Sequence, residues 1–474
     1  MNYFPDTTGL YADYYELTMA YGYFREGRQQ ETAVFDYFFR TNPFQNGFTV
    51  FAGLRDLLKM LDRFRFSGEE LNYLCSLGYP GDFLAFLADF RFRGIIYSVK
   101  EGEVVFPGEP TVRVEGSLIE TQLVESLLLN VLNFESLVAT KALRIRQAAG
   151  PRHFSEFGLR RAQGLGAMMA SRAAVIGGAD STSNVLAALV YGIPVSGTQA
   201  HSWIQSFDSE QEAFQVYAEV HGNKTILLAD TYDTLRSGIP NAIETAKTME
   251  LRGERLYGIR LDSGDLAYLS KKAREMLDAA GLSYVKIVVS NQLNEQVIRS
   301  LINEQQAPID SFGVGTELVS ATPDAALDGV YKMSAVNGFP RMKISENVEK
   351  LTLPGVKSLI RFYDAEGFFF RDGIFLDEET STDHMLLFHP KFPEKRTDVT
   401  GLKCEHLLRP VYAEGQTLLE DKTPAEINGY LRERLALLPT EHQRFVSPHI
   451  YKVGISGKLL ELRNRLILKN KPKT

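Results

Sequence analysis

His201 sits in the stretch Gly197-Thr198-Gln199-Ala200-His201-Ser202-Trp203, just past the apolar run at residues 193–196. That run reads as a buried strand, which places an imidazole at a strand end, where it can accept a proton, a metal or a phosphoryl group. Other apolar runs end in equally polar sequence. Phe157-Gly158-Leu159-Arg160-Arg161 follows one; Asp230 and Asp233 follow another; then come Arg260-Leu261-Asp262-Ser263-Gly264-Asp265, Ser290-Asn291-Gln292 and Gly313-Val314-Gly315-Thr316. Ahead of His201 lies Gly177-Gly178-Ala179-Asp180-Ser181-Thr182-Ser183-Asn184, which reads as a glycine-rich turn opening a helix. Guanidinium forks, small turns that expose backbone N–H groups and helix N-termini are what phosphate oxygens require. Carboxylates beside them suit Mg²⁺ held between protein and phosphates. Singly, each piece is ordinary: a lone histidine usually bonds across a loop, and an Arg-Arg pair is usually a solvated helix start. Their recurrence at strand ends points to one pocket for a polyphosphorylated ligand, with Arg160, Arg161, Asp180, Ser181, Thr198, His201, Arg260, Asp262, Asp265, Ser290, Asn291, Gly313, Gly315 and Thr316 as candidates.

The elements that position these residues alternate. Strands are expected at 153–157, 193–196, 225–228, 256–261, 284–289 and 311–314, with helices at 162–176, 183–190, 210–220, 242–251, 266–280 and 295–303 between or after them. About six strand–helix units favour an α/β barrel or an open doubly wound sheet; six is short of eight, so an irregular, incomplete TIM-like barrel is expected. In such folds chemistry sits at the carboxyl edge of the strands. Before the barrel, an aromatic helix is expected over 11–24, strands at 33–40, 48–52 and 95–99, helices at 54–64 and 69–77, a hairpin over 102–116 and one or two helices over 118–149. Beyond about residue 336 come short β stretches at 359–363 and 368–370, late helices near 424–437 and 458–468, and a basic tail at 469–473 expected to be solvated. The domains expected are an N-terminal α+β domain at 1–135, the barrel at 136–345 and a C-terminal segment at 346–474 that completes the first.

Composition narrows the class. The chain has 474 residues, 44% hydrophobic and 23% charged, ordinary for globular protein. A net charge of −7 argues against a nucleic-acid partner. Two cysteines, Cys75 and Cys404, cannot build a disulfide framework or thiolate cluster and suit a reducing cytosol. Asp6 and Asp13 precede any long apolar stretch, and no run approaches membrane-spanning length, so a cytoplasmic protein without membrane association is expected. There is no GxxxxGK[ST] loop, no GxGxxG after a strand, no GxSxG elbow and no histidine spacing for a helical zinc site.

With these motifs in hand, the chain resembles the nicotinate phosphoribosyltransferase family. The likeness rests on Asp13 with the YELTMAYG segment from Tyr15, EFGLRRAQG from Glu156, GGADSTSN from Gly177, GTQAHS from Gly197, the segment from Arg260 to Asp265, that from Phe312 to Thr316, and LLRPVYAEG from Leu407. The resemblance implies an irregular α/β barrel joined to a domain made from both chain ends, and a homodimer with shared sites. It implies that nicotinate and 5-phosphoribosyl-1-diphosphate (PRPP) give nicotinate mononucleotide and diphosphate, the first step of NAD salvage from nicotinic acid. ATP would be a co-substrate, hydrolysed through a phosphohistidine with Mg²⁺, which makes the activity a ligase. By the same resemblance His201 is the phosphoacceptor, and Arg160, Gly313, Gly315 and Thr316 hold phosphate. Arg260 and Asp262 lie near the ribose and diphosphate, and Phe157 and Tyr15 of the partner subunit sandwich the pyridine ring. Ala12 stands where the family commonly has threonine, and Gln292 where it commonly has an acid. Nicotinamide or quinolinate phosphoribosyltransferase would share this phosphate machinery, as would a phosphosugar lyase or isomerase on a TIM barrel; a noncatalytic scaffold would not gather charges at strand ends.

Overall fold

The computed structural model describes residues 9–164, 166–344, 352–379 and 385–470; Asp6 and most of the basic tail lie outside them. The chain divides into two compact units, Met1–Leu137 with Ala326–Thr474, and Val138–Ala325. The first division falls inside the helix Glu125–Ala149.

The unit built from both chain ends carries an antiparallel sheet of seven strands in which Thr32–Phe39 is third from one edge. Phe35, Tyr37 and Phe39 recur at the two-residue period of a strand and bury one face; Phe35 stacks on Tyr331 at 4.7 Å. On the other face Asp36 is buried and compensated by Lys357 at 2.8 Å. One neighbour of this strand is Val112–Ser117; the other is Gly329–Val336, from the far side of the barrel sequence. A second sheet of six strands includes Lys357–Tyr363 and Phe369–Leu376 and has Cys404–His406 at one edge. Fully buried Arg361 is neutralised there by Asp372 at 2.6 Å and Glu103 at 2.5 Å.

The hairpin expected over 102–116 does not form. Val104–Val105 pairs with Thr49–Val50, whereas Val112–Ser117 pairs with Thr32–Phe39 and Ile95–Ser98. Pro107 and Pro110 interrupt the connection, and neither can donate to a ladder, so the two strands separate to different partners.

The other unit holds six parallel strands: β1 (His153–Glu156), β2 (Ser181–Thr182), β3 (Ile226–Leu228), β4 (Gly258–Leu261), β5 (Lys286–Ser290) and β6 (Ser311–Val314), in the order β2-β1-β6-β5-β4-β3. β3 and β5 carry continuous apolar runs, Ile226–Leu228 and the Ile287-Val288-Val289 stretch, as parallel strands covered on both faces do, whereas β1 and β2 are largely polar. The segment expected as a strand at 193–196 contributes only a bridge, with Val195 opposite Thr182. Proline at 194 has no N–H to give, and the segment sustains two backbone bonds, Thr182 N–H to the Pro194 carbonyl at 3.0 Å and Ser196 N–H to the Thr182 carbonyl at 2.9 Å. Between this segment and β3 the ring has no ladder; the Gln199 side-chain amide reaches the Ile226 carbonyl at 3.4 Å instead. The barrel is therefore irregular and incomplete. Glu295, fully buried, ties the helix that follows β5 to the long helix through Lys141 at 2.6 Å and Arg144 at 3.0 Å; burial would raise its pKa, but those cations hold it below the ordinary value.

Candidate active site

Strand register decides which residues meet. Glu156 lies opposite Thr182 and Val314, Gly313 opposite Ser290, Leu261 opposite Val289, and Leu228 opposite Arg260. The six strands thus end almost level, and the residues that follow them share one rim. This brings together Phe157 to Arg161, Asp230, Asp262, Ser290, Asn291 and Gly315 to Thr316.

Arg260 is the hub of the rim. Its Nε donates to Ser290 Oγ at 2.9 Å, one terminal nitrogen to Thr198 Oγ1 at 2.6 Å and the Gln199 carbonyl at 3.3 Å, and the other to Asp262 Oδ1 at 2.9 Å. Each guanidinium nitrogen has at least one partner, so its planar fork is fixed before any ligand arrives. Asp262 Oδ1 also accepts from the Ser290 hydroxyl, and its carbonyl from Asn291 Nδ2 at 2.9 Å. Asn291 has φ +78, a left-handed conformation that asparagine tolerates better than most residues. Asp230 Oδ2 receives the Asp262 N–H at 2.8 Å and the Ser263 hydroxyl at 2.6 Å, while its Oδ1 is buried without a partner.

His201 begins the short helix His201–Gln205. Its Nδ1 lies 3.0 Å from Thr231 Oγ1, and its Nε2 faces Asp262 Oδ2 at 4.0 Å. With Nδ1–H donating to Thr231, Nε2 carries the lone pair and points into the rim. The imidazole is about 41% exposed, enough to meet a ligand from solvent.

The turn after β1 is held from below. Buried Glu156 accepts from the Gly158 N–H, from Thr182 Oγ1 at 2.5 Å and from Ser171 Oγ at 2.9 Å. Burial raises its pKa, and the three donors pull it back. Phe157 N–H bonds the Val314 carbonyl at 2.8 Å, and its ring lies so close over Gly313 that a Cβ there would stand 2.5 Å from it. Gly313 is required by that approach. Arg160 and Arg161 project from the same turn, exposed and with no side-chain hydrogen bond or ion pair among the described residues.

Other candidates sit elsewhere. Asp180 precedes β2, at the amino end of the sheet, where it bonds Phe154 N–H at 2.8 Å and pairs with Arg146. Ser181 is buried against Ser155 Oγ at 2.8 Å. Asp265 caps the helix Leu266–Ala279 through Tyr268 N–H at 3.0 Å. Asp13 and Tyr15 belong to the other unit, at the start of the helix Tyr14–Arg25; Tyr15 is exposed, and partial burial with Glu125, Glu16 and Asp13 nearby pushes its phenol pKa up. Sequence reasoning did not single out Glu156 and Thr182, the last residues of β1 and β2, which bond each other across the sheet, nor Thr231, which meets His201 from the loop after β3. Among the described residues no group of three or more His, Cys, Asp or Glu is placed to hold a metal alone. No helix among them is long and apolar enough to cross a membrane.

Three family patterns match the chain: the nicotinate phosphoribosyltransferase N-terminal domain over residues 10–133, the nicotinate phosphoribosyltransferase family over 152–378 and its C-terminal domain over 356–463. A Bacillus subtilis protein named nicotinate phosphoribosyltransferase is 43% identical over 466 residues, 95% of this chain and 93% of its own length. The crystal structure of human nicotinic acid phosphoribosyltransferase superposes with a TM-score of 0.87 at 33% identity, covering 96% of this chain and 99% of that one. A nicotinate-nucleotide pyrophosphorylase from Pyrococcus furiosus follows with a TM-score of 0.70 at 25% identity over 90% of this chain and 95% of its own.

Proposed function

The chain belongs to the nicotinate phosphoribosyltransferase family, and we propose that it joins nicotinate to the ribosyl carbon of PRPP, releasing diphosphate, with ATP hydrolysis coupled through His201. The observation that carries this reading is the rim itself: a preset Arg260–Asp262–Ser290–Thr198 cluster, a histidine with one open nitrogen and two unpaired arginines on a glycine-rich turn.

The pyridine nitrogen attacks the anomeric carbon as the bond to diphosphate breaks, and positive charge builds on the ribose ring. The nucleophile is already unprotonated, so the site needs positioning and charge stabilisation rather than a strong base. Phe157, pinned over Gly313, offers a flat face to the pyridine; Arg160, Arg161 and the N–H groups from Gly313 to Thr316 receive phosphate oxygens. Asp262 and Arg260 meet the ribose and the leaving group. Asp230, whose Oδ1 has no hydrogen-bond partner, and Asp262 would hold Mg²⁺ together with substrate phosphates, where it would neutralise charge on the diphosphate. For coupling, His201 Nε2 attacks the γ-phosphorus of ATP, the bond to ADP breaks, and Thr231 holds the Nδ1 proton. The phosphohistidine adds about −1.5 to −2 charges beside Asp262, so it is tolerated only with cations bridging, which favours the PRPP- and Mg²⁺-loaded state. A homodimer with Tyr15 of the partner subunit against the pyridine completes the proposal. Two free, exposed cysteines support a reducing, cytoplasmic setting.

The test is turnover of labelled nicotinate, nicotinamide and quinolinate with PRPP and Mg²⁺, with and without ATP. Nicotinate is expected to be preferred and stimulated by ATP. His201→Asn is expected to lose acid-labile label from γ-labelled ATP and all stimulation while keeping slow transfer. A variant that still takes the label would remove His201 as phosphoacceptor, and turnover without PRPP would end the reading altogether.

A further inference from the structure

A cavity of about 710 Å³ opens beside the edge strand Cys404–His406, in the unit built from the chain ends. Four basic side chains line it, Lys403, His406, Arg409 and Arg434, against one carboxylate, Glu405. That carboxylate is already committed: it accepts from Tyr363 OH at 2.6 Å and pairs with Arg434 at 3.0 Å. Arg434 is more than nine-tenths buried; its Nε donates to Glu103 at 2.9 Å, yet its Nη2 has no acceptor. Lys403 rests over the Tyr363 ring at 5.5 Å, and neither it nor Arg409 has a carboxylate partner among the described residues. Converging cations in a concavity repel one another and concentrate anions there. The volume lies within the range of about 300–1,000 Å³ typical of small-molecule sites, far more than a lone phosphate fills. Tyr363 and Leu437 give one wall an apolar character.

We infer that this cavity is a second binding site, for a small phosphorylated metabolite whose phosphate is held by Lys403, Arg409 and Arg434 and whose organic part lies along Tyr363 and Leu437. It uses none of the residues of the barrel rim. Cys404 lines the cavity and is exposed, as is Cys75 elsewhere in the chain, so alkylation of the full-length protein reads occupancy locally. Iodoacetamide labelling of both cysteines is followed by peptide mass spectrometry with inorganic phosphate, AMP or sodium chloride at matched ionic strength. At roughly ten times a millimolar Kd, AMP should slow Cys404 labelling about tenfold, leaving Cys75 unchanged. Stronger protection by AMP than by phosphate supports the inference, and equal protection by the free anion would overturn it. Lys403→Ala with Arg409→Ala should abolish protection while transfer activity persists. Labelling that is unaffected by both probes, slowed equally by chloride, or still protected in the double variant would overturn the inference.

Discussion

Replacing Glu156 by alanine tests whether the turn after β1 is held by a buried carboxylate. Three donors converge on it: Gly158 N–H, the Thr182 hydroxyl and the Ser171 hydroxyl. Ser171 keeps an alternative acceptor in the Ala167 carbonyl at 2.9 Å, but Gly158 and Thr182 do not gain one. Two stranded buried donors cost about 1–3 kcal/mol each, giving about 2–6 kcal/mol. Removing the carboxylate relieves its own desolvation, evident in its raised pKa, so the lower half of that range is expected. Glu156→Gln keeps an oxygen for the hydroxyls but turns its amide toward the Gly158 N–H, and should cost about 1–3 kcal/mol. Stability should therefore fall from wild type through glutamine to alanine. Because Gly158 anchors the turn that carries Phe157 and Arg160, folded variants should also need more PRPP for half-saturation. Urea denaturation and PRPP saturation curves measure both. An alanine variant within about 0.5 kcal/mol of wild type, the range of unremarkable surface substitutions, would refute the reasoning.

Arg160→Ala should raise the PRPP KM roughly ten- to hundredfold, from loss of about 1.5–3 kcal/mol of charge-assisted bonding, without changing the urea midpoint, because the side chain is exposed and unpartnered; normal PRPP saturation would remove it from the site. Mixed dimers of Tyr15→Ala and Arg160→Ala subunits should recover part of the activity that each parent lacks, and a fully active monomer in sedimentation would refute subunit sharing. Glu16 is pushed to about 8 by burial, with Glu125 and Asp13 adding and Ser126 opposing. Its folded-state pKa is raised, so its contribution is complete below the unfolded value of about 4.5 and is lost as pH climbs to about 8, approaching about 5 kcal/mol. Denaturation midpoints should fall between about pH 5 and pH 9, and Glu16→Gln should flatten that fall; an unchanged slope would assign it to other groups.

Several barrel strands were legible because buried parallel strands are short apolar runs bounded by polar turns, as at Ile226–Leu228 and Lys286–Ser290. The helix Pro424–Leu437 announced itself by Thr423 and Glu426, a capping box with proline at its first position. Ser181–Thr182 escaped, since two polar residues carry no hydrophobic period, and with it went the side of the sheet on which Asp180 falls. Of the rim, residues directly after strands could be listed from spacing; Thr231 and Glu156 could not, because their parts depend on register between strands far apart in sequence.

The pairing of Ala33 with Val336 has a consequence for synthesis on the ribosome. At about 5–20 residues per second, the strand Thr32–Phe39 waits roughly 15–60 s for its second neighbour to emerge. During that interval Val112–Ser117 can already shield one of its edges, leaving the other as an open template for pairing with a neighbouring nascent chain. The interposed barrel sequence, whose six strands are contributed within residues 153–314, can close its own ladder in that window. Translation speed through the barrel segment thus sets how long that edge stays exposed.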